Sequence, residues 1–168
     1  ARGRDSLPVG TKSNDWIGGR RPGDNMFGGA IVALDARTGT RVWHYQLVHH
    51  GLWDYDLPAP PNVVTIRAGA RRTDAVVVPT KQGWIFAFDR VTGKPLWPIE
   101  ERAVPPSDVP GERAWPTQPA PSKPKAFAQQ GFGADDVIAF TPAVKAAALA
   151  QLQLFVSGPL YTPPSLKG

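Results

Sequence analysis

Cysteine is absent from the 168 residues. That excludes a disulfide framework and a thiolate metal site, and it leaves the redox compartment open. No apolar stretch approaches the roughly 20 residues needed to span a bilayer. No run of five or more like charges occurs either. The basic side chains, among them Arg20, Arg21, Arg71, Arg72, Lys123 and Lys125, are scattered, although the formal net charge is +5 and the pI about 9.8. A nucleic-acid reader gathers such charges on one element beside stacking aromatics, so the scattered set reads as a solvated basic surface with no nucleic-acid partner. No motif for covalent haem attachment is present, so electrons from any redox chemistry would leave through another domain or a separate carrier. No signal peptide is read in the chain, which opens at Ala1, so its natural start is expected to be missing or removed, and localisation does not follow from its residues.

What is abundant is proline (19), glycine (17) and tryptophan (6), within a chain that is 42% hydrophobic. That mixture supports a packed, turn-rich fold with large aromatic anchors, and it favours β architecture over a helical bundle. An internal repeat sharpens the expectation. The stretch 30–43 returns as 84–97, with Ala33, Asp35, Thr38, Gly39 and Trp43 matched by Ala87, Asp89, Thr92, Gly93 and Trp97. Each copy reads as strand, tight turn, strand. The Asp accepts hydrogen bonds from turn amides, the Gly tolerates positive φ, and the Trp is suited to pack between neighbouring sheets. Repeated hairpins with a buried Trp are the sequence signature of propeller blades. Five shared positions make a mere pair of similar sandwich hairpins the poorer reading.

Between the copies, residues 73–80 read as a buried strand and Lys81-Gln82-Gly83 as a turn. Residues 98–133, dense in Pro and Gly, are expected to form an irregular excursion. Residues 141–154 are the one clear helix, with Thr141 as N-cap and Pro142 at the first helical position. Two repeats imply about two blades where closed propellers need 4–8. Residues 1–168 are therefore expected to be a partial, all-β propeller domain with one inserted helix, completed by the remainder of a longer protein.

The densest chemistry lies just after the first repeat, in His49-His50-Gly51-Leu52-Trp53-Asp54-Tyr55-Asp56. A carboxylate flanked by aromatics can have its pKa raised and serve as a base. Asp54 or Asp56 can equally cap a turn. His49 and His50 are adjacent, so on a strand they face opposite ways, and no third ligand is spaced to complete a zinc site. Lys81, at a hairpin turn, is by itself an ordinary surface lysine.

Five segments then occur in a telling order: Arg21-Pro-Gly-Asp-Asn25, the first Trp repeat, the 49–56 stretch, Pro79-Thr-Lys-Gln-Gly83, and Gly158-Pro-Leu-Tyr-Thr-Pro-Pro164. In this the chain resembles the quinoprotein dehydrogenases, above all the membrane-bound glucose dehydrogenase branch. The resemblance implies an eight-bladed propeller that oxidises a sugar, polyol or alcohol hydroxyl with pyrroloquinoline quinone and a calcium ion. It implies that Asp54 is the general base, with Asp56 second, and that Lys81 contacts the quinone oxygens. His49, His50, Trp53 and Asp56 would line the substrate entrance. A periplasmic, possibly membrane-associated location and an electron acceptor such as ubiquinone come from the same resemblance. One departure stands out. Many alcohol-oxidising relatives carry a calcium-binding Asn within Gly-Asn-Pro, where this chain reads Gly10-Thr-Lys-Ser-Asn14, so no metal ligand is assigned. The rival reading is a non-catalytic propeller scaffold, which would share the Trp repeats and have no use for the Asp54 and Lys81 pairing.

Overall fold

The computed structural model describes residues 3–68 and 70–167. Eight strands and one helix follow in chain order: β1 (Arg4–Val9), β2 (Ala30–Asp35), β3 (Arg41–Gln46), β4 (Asn62–Ala68), β5 (Arg71–Pro79), β6 (Ile85–Asp89), β7 (Ile99–Ala103), β8 (Thr117–Pro121) and α1 (Pro142–Leu152). They form three antiparallel sheets, β1-β2-β3, β4-β5-β6 and β7-β8.

The two repeat turns are built alike from the same residue types. Asp35 Oδ1 accepts the amides of Arg37 (3.0 Å) and Thr38 (2.9 Å) and the Thr38 hydroxyl (3.0 Å). Asp89 Oδ1 does the same with Val91 (2.9 Å), Thr92 (2.8 Å) and the Thr92 hydroxyl (3.0 Å). Gly39 and Gly93 both sit at φ +71°, where a side chain is disfavoured. These bonds favour the charged form, so the Asp35 carboxyl is held below the usual carboxylate range, chiefly by Thr38.

Trp43 joins the first sheet to the second. A one-residue irregularity between Ala33 and Leu34 sets Trp43 opposite Ala33. The indole N–H then donates to the Arg90 carbonyl at 3.2 Å, in the turn of the second repeat. The ring lies so close over Gly93 that a Cβ there would stand 2.6 Å from Trp43 Cδ2. Arg4 adds a guanidinium bond to the Val91 carbonyl. Behind this junction Ile31, Ala33, Val76, Val78, Phe86 and Phe88 fill a continuous core.

The second copy departs from the first. After its turn the chain returns along β6 through Asp89 N–H to Lys94 O (2.8 Å), Leu96 N–H to Ala87 O (2.9 Å) and a single bridge at Phe88 and Pro95. Pro95 has no N–H to give to a ladder, so the expected return strand does not form. Trp97 is half-buried and lines an open groove with Ile66, Arg71 and Leu96. The stretch 98–133 also differs from its expectation, because β7 and β8 form a hairpin inside it. Pro119 and Pro121 alternate along β8 with Gln118 and Ala120. A two-stranded sheet has only edges, so an edge facing away from the ladder tolerates prolines. The helix α1 is capped by the Thr141 hydroxyl on Val144 N–H at 3.2 Å and buries none of its residues.

Candidate active site

The segment leaving β3 for β4 carries the first candidate side chain, Asp54. Leu47, Val48, Leu52 and Trp53 are buried along it, and prolines at 58, 60 and 61 keep it out of regular structure. The Trp53 indole N–H donates to the Thr162 carbonyl (2.8 Å) and the Tyr55 hydroxyl to the Leu160 carbonyl (3.1 Å). The two rings stack at 5.8 Å and both meet Tyr161 edge-on, at 5.1 and 5.8 Å. Burial pushes the Tyr55 and Tyr161 phenols up, so both stay protonated. With both aromatic neighbours drawn inward, the intervening Asp54 has to face outward, and its side chain is 48% exposed.

The second candidate side chain, Lys81, sits in the β5–β6 turn. Thr80 N–H donates to Trp84 O (2.9 Å) and Gly83 N–H to Thr80 O (3.0 Å). Gly83 has φ +78°, and a Cβ there would lie 2.4 Å from the Ala128 methyl, so the turn is pinned from outside as well. Gln82, Gly83 and Trp84 are buried and Lys81 alone of the four is exposed. Its ammonium reaches Asp54 Oδ1 at 3.1 Å. A carboxylate and an ammonium from different sheet connections therefore meet on one open face.

The other candidates take different positions. Asp56 Oδ1 accepts the Thr11 amide, and that bond holds its carboxyl below the usual range, with lesser help from Lys81 and Asp54. It ties the 10–11 segment to the site. His50 is buried at φ +40°, its Nδ1 2.6 Å from the Gly23 carbonyl and its ring packed on Gly18. Trp53 is sealed in the aromatic cluster. Trp53 is 6% exposed, and His50 shows one edge to a groove that it shares with Arg21, Arg113 and Trp115. His49 is half-buried, with Nε2 3.1 Å from Glu101 Oε1. Sequence reasoning missed Glu101 and Gln118, which meet His49 from 52 and 69 residues away and carry no local signal; Tyr161 lies within the 158–164 segment quoted for the resemblance, but its packing on Trp53 was not foreseen.

Lys81 and Asp54 suit one edge of a quinone cofactor. The ammonium offers donors to carbonyl oxygens, and the carboxylate beside it offers acceptor oxygens. Among the described residues, no group of three or more His, Cys, Asp or Glu side chains could hold a metal ion. No helix among them is long and apolar enough to cross a membrane.

Antiparallel sheets fastened to one another by a docked Trp are the architecture of a β-propeller. The family model for the PQQ glucose/ethanol/alcohol dehydrogenase β-propeller domain matches residues 2–168, and the chain belongs to this PQQ-dependent family. It is 44% identical to the probable quinate dehydrogenase (quinone) of Xanthomonas campestris pv. juglandis over 67% of this chain and 15% of that protein. It is 40% identical to the quinoprotein glucose dehydrogenase of Escherichia coli K12 over 67% of this chain and 14% of that protein. The quinohemoprotein alcohol dehydrogenase structure from Comamonas testosteroni superposes with TM-score 0.53 and 27% identity, over 71% of this chain and 18% of that one. The chain thus spans about one sixth of the length of the relatives it matches.

Proposed function

We propose that this chain supplies the general base and a cofactor-contacting lysine of a pyrroloquinoline quinone-dependent dehydrogenase acting on a sugar, polyol or alcohol hydroxyl. The observation that carries the reading is the 3.1 Å contact between Asp54 and Lys81, both open to solvent on one face. Pyrroloquinoline quinone, when bound, supplies the two-electron acceptor for the hydride from the substrate carbon. Asp54 takes the hydroxyl proton on its carboxylate, so the carbinol becomes a carbonyl with its proton accounted for. Lys81 donates to oxygen at the cofactor edge, where an ammonium favours the charge that builds up on reduction. Trp53 and Tyr55, bonded to the Thr162 and Leu160 carbonyls, hold Asp54 in place between them. The names of the relatives support polyhydroxylated substrates, glucose and quinate among them, and a quinone as acceptor. A periplasm-facing location accords with that acceptor.

The test is a titration of pyrroloquinoline quinone, with and without calcium, into the complete protein, followed by dye reduction with aldoses, polyols and quinate. Asp54→Asn should keep cofactor binding and lose about 10²- to 10⁴-fold in turnover. Lys81→Ala should weaken both. Unchanged turnover in Asp54→Asn would remove the proposed base, and a folded protein that never binds the cofactor would return the chain to the scaffold reading.

A further inference from the structure

The structure assigns to Gln118 the role of positioning residue for the segment that bears Asp54, an inference that rests on the reading of Asp54 as base. Gln118 lies on β8, opposite Arg102 of β7, and is fully buried. Its side-chain amide exchanges two hydrogen bonds with the backbone of one residue. The His49 N–H donates to Gln118 Oε1 at 2.8 Å, and Gln118 Nε2 donates to the His49 carbonyl at 2.6 Å. One side chain thereby takes the part of a neighbouring strand, at the point where the chain has left β3 and has no ladder to join.

The same hairpin grips the His49 side chain as well. Glu101 on β7 meets Nε2 at 3.1 Å, and the Trp115 ring, just before β8, lies 6.0 Å from the imidazole. His49 is five residues ahead of Asp54. The intervening His50 is fixed by its N–H on the Asp24 carbonyl at 2.7 Å, and Trp53 by Thr162. Both His49 backbone groups are served by a fully buried partner that water does not reach, so removing that partner leaves them unpaired or forces the segment to move. A shift of about 1 Å at a base is enough to cost on the order of 100-fold in rate. The β7–β8 hairpin is thus more than a surface excursion: it sets where the base stands.

The test uses the complete, cofactor-loaded protein and three variants. Gln118→Met keeps the length and loses both bonds; turnover per bound cofactor should fall about 10- to 100-fold, with cofactor affinity within about threefold. Gln118→Glu discriminates more finely, since a neutral carboxylic acid offers one acceptor and one donor, as the amide does, while the carboxylate offers no donor to the His49 carbonyl. Its turnover per folded, cofactor-bound molecule should therefore rise relative to the parent as pH falls, and circular dichroism over the same range separates this rise from a change in the folded fraction. Gln118→Glu with the parent's pH profile, or Gln118→Met with turnover within twofold of the parent, would overturn the inference. Asp54→Asn run alongside separates the two readings: if it stays active, the base assignment fails, and if it is inactive while both Gln118 variants behave as the parent, only the positioning role fails.

Discussion

Gly39→Ala and Gly93→Ala form a matched pair, because the two glycines share the same turn and the same φ of +71°. An alanine at Gly39 meets no atom within 4 Å, so it bears only the cost of a left-handed backbone, about 1–2 kcal/mol. At Gly93 the methyl would stand 2.6 Å from Cδ2, 2.7 Å from Cγ and 2.9 Å from Cε3 of Trp43. The ring is held by its bond to the Arg90 carbonyl and is 8% exposed, so it has little room to retreat. Overpacking of this kind adds about 1–3 kcal/mol. At about 2–4 °C per kcal/mol for a unit of this size, Gly93→Ala should lower Tm by roughly 2–12 °C more than Gly39→Ala. Thermal unfolding of the two variants side by side, followed by tryptophan fluorescence, reads this directly. Equal losses would refute the reasoning, because they would mean that Trp43 yields at no cost and does not fasten the first sheet to the second.

Stability should also fall with acid in two windows. Burial holds His44 below its ordinary value, so the unfolded chain binds that proton more tightly and stability drops as pH falls through about 6.5. Asp35 and Asp56 are held low, so their contribution is present above about pH 4 and is lost as pH falls further; an acid titration of the folded fraction should show both steps. Thr141→Ala should cost the helix about 1 kcal/mol and raise amide exchange over residues 142–146, with little change elsewhere because α1 buries no residue.

Much of the fold was legible because its signals are local. The Asp-x-x-Thr-Gly turn closes on itself within five residues, and its Trp announces a sheet waiting to be covered. Asp54 and Lys81 were legible only through the family likeness, since 27 residues separate them and neither environment is special in one dimension. The β7–β8 hairpin stayed hidden because its prolines mimic loop composition. β1, with Pro8 inside it, was masked in the same way: it lies on an edge of its sheet, where a missing N–H costs nothing. Gln118 gave no signal at all, because an amide that replaces a strand looks like any other glutamine.

The bonds that hold Asp54 outward also fix an order of events in folding. The repeat turns form from neighbours two or three residues apart, whereas Trp53 and Tyr55 reach partners 109 and 105 residues onward. Loop closure over that span comes late, after the sheets exist to receive it. The Asp54 and Lys81 pair is therefore expected to order after the repeat turns, and partial unfolding would part it while the tryptophan-fastened sheets still stand.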